Sequence, residues 1–120
     1  MQDEAEIYKV ATASTDGIVV NSHFGKAGRF YIYQVWDGET QLVEERKVQP
    51  VCDHGDHDEE RLVENCRALA DCRYILVSRI GYRAAGILEQ MGVTPMEIPD
   101  LIPAALDRVD AYDQVQRLFD

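Results

Sequence analysis

Three histidines and three cysteines are the residues of this 120-residue chain best suited to soft-metal chemistry. Two of the histidines and one cysteine crowd into Cys52-Asp53-His54-Gly55-Asp56-His57, a polar stretch that reads as a loop. One thiolate and two imidazoles at Cys52-x-His54-x-x-His57 suit zinc, iron or an iron–sulfur cluster. No second Cys/His pair follows at zinc-finger spacing, so these residues do not close a four-ligand site by themselves. An incomplete set fits a site that takes a preformed metal cluster through one or two protein ligands. The competing reading is a polar loop with incidental histidines and a helix N-cap at Asp56. The third histidine, His23, lies in Asn21-Ser22-His23-Phe24-Gly25. A glycine beside it lets the backbone come close to a bulky ligand; the plainer reading is a turn histidine with a local hydrogen bond.

A second constellation is Ser78-Arg79-Ile80-Gly81, at the carboxyl end of an apolar strand and just before a helix. Ligands of open α/β sheets bind at such strand ends, and a helix start offers free amides and a positive dipole end to an anion. An ordinary strand-to-helix turn would also use this glycine. Lys26, Arg29, Arg79 and Arg83 fall near these loops and form a candidate positive patch.

That patch belongs to an acidic chain, with 22 Asp and Glu against 12 Lys and Arg and a formal charge of -10. Such a balance argues against non-specific nucleic-acid binding, which needs a cationic surface to displace phosphate counterions. No apolar run is long enough to span a bilayer, and the acidic start Met1-Gln2-Asp3-Glu4 is not a signal peptide, so the expectation is a cytoplasmic protein with no membrane partner. An odd number of cysteines without a secretory signal argues against a disulfide framework. Cys66 sits on the apolar stripe of a helix and Cys72 just before an apolar strand; both read as buried small hydrophobes.

The elements that must position these loops follow from periodicity. Ile7 to Ala13 reads as a strand, Asp16-Gly17 as a tight turn and Ile18 to Val20 as a short return strand. Phe30 to Trp36 is aromatic and β-branched, Asp37-Gly38 turns the chain, and Gln41 to Val48 returns as a charged edge strand. A helix begins at about Asp56, with Leu62, Val63, Cys66, Leu69 and Ala70 on its apolar face. Tyr74 to Ser78 is a continuous apolar run, as in a central strand covered on both faces. A second helix carries Ala84, Ile87, Leu88 and Met91 and stops at Gly92. Val93 to Ile98 is another strand, and Ile102, Ala105, Leu106 and Val109 mark a third helix, with residues 110–120 either extending it or docking separately. The order predicts one α/β domain over residues 1–120, core about 7–109: a ribonuclease H-like, mixed five-stranded sheet with flanking helices. The first strand carries no acid, and two-metal phosphoryl chemistry needs carboxylates gathered at strand ends, which argues against a nuclease. No P-loop or Gly-x-Gly-x-x-Gly stretch is present.

Val10 to Gly17, then Val20-Asn21-Ser22-His23-Phe24-Gly25-Lys26-Ala27, then Phe30 to Tyr33 resemble the dinitrogenase iron–molybdenum cofactor biosynthesis family, of the NifX and NafY type, also found as the C-terminal domain of NifB. The likeness runs from about Ile7 to Val109, and its most specific piece is the Asp-Gly turn followed by Asn-x-His-Phe-Gly. It implies a ribonuclease H-like fold without nuclease activity. It implies a non-catalytic carrier that transiently binds an iron–sulfur cluster, the FeMo-cofactor or its precursor, and works with nitrogenase cofactor assembly proteins. His23 maps to the family's candidate cluster ligand, and Cys52, His54 and His57 to a loop that often carries Cys or His there. Lys26, Arg29, Arg79, Arg83 and the helix amides near Gly81 would then offset cluster charge. The family's strand-end turn commonly reads Gly-x-Gly-Pro-Arg-Ala, whereas this chain has Arg79-Ile80-Gly81-Tyr82-Arg83-Ala84, lacking the first glycine and the proline. Two other readings stand beside the carrier. One is a mononuclear zinc or iron module held by Cys52, His54, His57 and His23; the other is a metal-free protein-interaction domain.

Overall fold

Alternation along the strands divides the apolar side chains between two faces of one sheet. A computed structural model describes residues 7–53 and 56–119, with only the backbone described at 52, 53, 56 and 57. Strands β1 (Ile7–Ala13), β2 (Arg29–Trp36) and β3 (Glu39–Lys47) are followed by the two-residue strands β4 (Cys52–Asp53) and β5 (Asp56–His57). Helix α1 (Glu59–Ala68), β6 (Tyr74–Val77), α2 (Tyr82–Gln90), β7 (Thr94–Glu97) and α3 (Ile102–Leu118) complete the order. The main sheet runs β3-β2-β1-β6-β7. β1, β2 and β3 pair antiparallel, while β6 is parallel to both β1 and β7. The expected mixed five-stranded sheet with flanking helices is therefore present.

Ala11, Ala13, Phe30, Ile32, Ile75 and Val77 point to one face and pack with Leu62, Cys66 and Leu69 from α1 and its C-cap, and with Ala84 and Leu88 of α2. Their neighbours Tyr8, Val10, Val35, Tyr74 and Leu76 point to the other face, against Ile102, Ala105, Leu106 and Val109 of α3. β6 lies between β1 and β7 and is buried along its whole length, as its unbroken apolar run predicts. β3 is the exposed, charged edge. Asp37 (φ 51) and Gly38 (φ 79) make the β2–β3 turn, and Gly92 (φ 85) follows α2 in the left-handed conformation that a glycine adopts without cost.

Three expectations are corrected or completed. Ile18 to Val20 is not a strand folded back on β1, because both edges of β1 are already taken by β2 and β6. The segment instead meets the start of α3: Val20 N–H donates to the Asp100 carbonyl at 2.9 Å, and Ile102 N–H donates to the Ile18 carbonyl at 2.9 Å. The helix N-cap is Asp58 rather than Asp56, since Asp56 belongs to the short β4–β5 hairpin. Residues 110–118 extend α3, held by two hydroxyls from the sheet. Tyr8 Oη donates to Asp110 Oδ1 at 2.8 Å and Tyr74 Oη to the buried Asp113 Oδ1 at 2.7 Å.

Candidate functional site

The loop after β1 is built by its own polar side chains. Asp16 Oδ1 accepts the N–H groups of Ile18 (2.8 Å) and Val19 (3.2 Å), and those amides hold its carboxyl below the usual range. Buried Ser14 accepts the Gly17 N–H at 2.9 Å. Gly17 has φ +76, and a Cβ there would come within 3.2 Å of the Tyr31 ring, so the turn and the close approach both require glycine. Asn21 closes the loop, accepting the Thr15 N–H at 3.0 Å and donating to Thr15 Oγ1 at 3.0 Å. The N–H groups of Asn21 and Ser22 both reach the Ala13 carbonyl, at 3.2 and 3.3 Å, so the chain returns to the point where it left β1.

That return places His23 beside the carboxyl end of β6. Ser78 N–H donates to the Ser22 carbonyl at 3.0 Å, Phe24 N–H donates to the Arg79 carbonyl at 2.9 Å, and His23 and Arg79 form a parallel bridge. Phe24 is the anchor: it is buried and packs on Phe30, ring centroids 5.8 Å apart, while His23 and Lys26 on either side stay exposed. Glu97 at the end of β7 fixes the adjoining turn by accepting the Ile80 N–H at 2.9 Å.

Helix α2 then starts without local help. Its N-cap is Gly81, with no side-chain cap and no acid in the first turn. The first intrahelical bond runs from Ala85 N–H to the Gly81 carbonyl, 3.0 Å, leaving the N–H groups of Tyr82, Arg83 and Ala84 without a partner inside the helix. Such a start attracts anions. A Cβ added at Gly81 would meet nothing within 4 Å, so the space above this turn is open.

These pieces surround one cavity of about 470 Å³, a size suited to a small ligand. Phe24, Val51, Leu62, Ile80 and Ala84 give it apolar walls; His23, Lys26, Arg79, Gly81 and Arg83 line it together with Asp58 and Glu59 from the start of α1. Five of the sequence-predicted residues, His23, Lys26, Arg79, Gly81 and Arg83, thus meet at a single pocket. Arg29 is not among its lining residues; its guanidinium pairs with Glu45 at 3.0 Å across β2 and β3. Cys52 and His57 are opposite each other in the backbone register of the β4–β5 hairpin. The residues flanking that hairpin, Val51 and Asp58, line the pocket, and β4 lies alongside the Phe24–Lys26 turn. His54 lies outside the described residues. Among the described residues, no group of three or more His, Cys, Asp or Glu side chains is placed to hold a metal ion.

Cys66 and Cys72 are buried, as expected, and burial pushes their thiols up to about 11 and about 12. Neither takes part in the pocket. Sequence reasoning missed the apolar walls, which carry no chemical signature, and two carboxylate contacts across elements. Glu59, the first residue of α1, pairs with Arg83 in the first turn of α2. Glu97 holds Ile80. Neither contact leaves a spacing signal, because each joins residues on different elements.

Comparison with known proteins gives the family and the fold. Residues 6–112 match the family model described as dinitrogenase iron-molybdenum cofactor. The FeMo cofactor biosynthesis protein NifB of Frankia alni is 39% identical over 110 residues, covering 89% of this chain but 22% of that protein. The chain therefore spans about a fifth of the length of this relative. NifY of Azotobacter vinelandii is 31% identical over 92% of this chain and 43% of its own length; NifX of Rhodobacter capsulatus is 29% identical over 84% and 67%. Among solved structures, a putative NifB protein from Thermotoga shares the fold, with a TM-score of 0.60 at 21% identity over 87% of this chain and 88% of the other. With the family model covering nearly the whole described chain, this protein belongs to the dinitrogenase iron-molybdenum cofactor family.

Proposed function

We propose that this domain is a non-catalytic carrier of an anionic iron–sulfur cluster, a precursor of the nitrogenase iron–molybdenum cofactor or the cofactor itself. The observation that carries this reading is the meeting of His23 with Arg79 and the uncapped start of α2 in one pocket of about 470 Å³. His23, exposed at that pocket, gives an imidazole electron pair to an iron or a heterometal of the cargo. Lys26, Arg79 and Arg83, with the free amides of α2, offset its negative charge. Phe24, Leu62 and Ile80 exclude water and strengthen those interactions. Cys52, His54 or His57 supplies a second contact. A cluster held by one or two side chains is released by ligand exchange, which suits transfer to cofactor assembly proteins. Three antiparallel strands followed by two parallel ones support a ribonuclease H-like description of the scaffold.

The test is anaerobic incubation with an iron–sulfur cofactor precursor, desalting, and assay of iron, inorganic sulfide and absorbance. Retention of several irons with sulfide is expected. The backbone pairing of Cys52 with His57 supports one rival, a mononuclear zinc or iron module centred on the hairpin. Retention of one metal per chain without sulfide would favour that rival, and retention of nothing would overturn both.

A further inference from the structure

Asp58 and Glu59 bring two carboxylates to a pocket otherwise arranged for an anion. Asp58 is occupied locally, since it accepts the Arg61 N–H at 3.0 Å as the N-cap of α1. Glu59 instead reaches across the pocket to the Arg83 guanidinium in the first turn of α2. The two side chains are 59% and 60% exposed, so the pair lies at the mouth rather than in the core. An exposed pair of this kind is weak and exchangeable.

We infer that Glu59 and Arg83 form an electrostatic clasp over the pocket. In the empty protein Glu59 stands where the anion's charge would be felt and occupies the guanidinium. An entering anion takes Arg83 from Glu59, and Glu59 takes it back on release. Glu59 thus limits affinity and favours unloading. This inference rests on the anion-pocket reading above, and the two fail in different ways.

The probe is tetrathiomolybdate, a dianion of molybdenum and sulfide, titrated by equilibrium dialysis at low salt into the whole chain. Glu59→Gln is expected to tighten binding about two- to fivefold, the range an exposed ion pair allows. Arg83→Gln is expected to weaken it by about twofold or more. Glu60→Gln, an acid of the same helical turn that does not line the pocket, is expected to leave it unchanged. Opposite signs for the two members of one pair separate a clasp from a structural tie, whose loss would shift both variants the same way. A shift of equal sign in both, or equal tightening by Glu60→Gln, overturns the clasp. Unchanged affinity in Glu59→Gln overturns it too, but leaves the anion pocket standing. Absence of binding in every protein overturns both.

Discussion

Two helices begin at the same pocket and complete their first turns in opposite ways. α1 supplies its own cap: Asp58 accepts an amide of the first turn, and Glu59 and Glu60 add charge that suits the helix dipole. α2 begins at a bare Gly81, with no acid in its first turn and with Arg83 there instead. The first arrangement satisfies the helix from within. The second leaves amides and positive charge beside His23 and Arg79 for a group from outside. A missing cap beside a built pocket marks where the chain forgoes local stability for binding.

Changes on the α2 side should cost binding, and changes on the α1 side should cost stability. His23→Ala should have the largest effect. It removes the imidazole from an exposed position, so the thermal midpoint should hold while retained iron and sulfide fall about tenfold or more. Equal retention would detach the histidine from the site. Gly81→Asp gives α2 the cap that α1 has. Open space at that position lets the side chain in. Stability should rise by a few tenths of a kcal/mol, while anion affinity should drop by about tenfold under the added charge. If the cap leaves anion affinity as it was, the two helix starts do not differ in function.

Asp58→Ala is the converse. Chemical denaturation should show a loss of about 1 kcal/mol, with anion affinity not reduced. A fall in affinity alongside stability would show that Asp58 itself takes part in binding. The smallest effect concerns the loop that delivers His23. Because its amide partners depress the Asp16 carboxyl in the folded protein, the contribution is complete above the ordinary carboxylate value of about 3.9. It is lost as pH falls through the lower, folded value. Protection of the Ile18 and Val19 amides should therefore decline in that acid window, and Asp16→Asn should abolish the pH dependence. An unchanged decline in Asp16→Asn would assign the effect to another group.

Much of this molecule is legible in its amino-acid sequence. Ile7 to Ala13, the aromatic and β-branched run Phe30 to Trp36 and the unbroken apolar run Tyr74 to Ser78 were each read as strands, and β1, β2 and β6 occupy those stretches. Leu62, Cys66 and Leu69 marked the inner side of α1, and Gly92 the end of α2. The Asp-Gly turn was visible too, but its purpose was not. Sequence spacing favoured a hairpin, whereas Asp16 accepts the Ile18 and Val19 amides while Asn21 and Thr15 bond to each other, and together they close a loop. A local signal of this kind records that the chain turns, not which strand edge remains free to receive it. Both edges of β1 are occupied, one by the next strand β2 and the other by β6, which lies far along the chain.

The residue types of the site and the elements that carry them can be read along the chain, because side-chain chemistry and hydrophobic period are local properties. His23, Lys26, Arg79, Arg83 and Gly81 stand out there as ligand, cations and helix start. That these five share a pocket while Arg29 turns to Glu45, and that Glu59 of one helix occupies Arg83 of another, is settled by tertiary packing. The shared pocket depends on the parallel pairing of β1 with β6, which brings the end of one loop against the start of a helix more than fifty residues away, and the Arg29–Glu45 pair depends on the pairing of β2 with β3. Distance through space is fixed by sheet order, and no spacing along the chain encodes it directly.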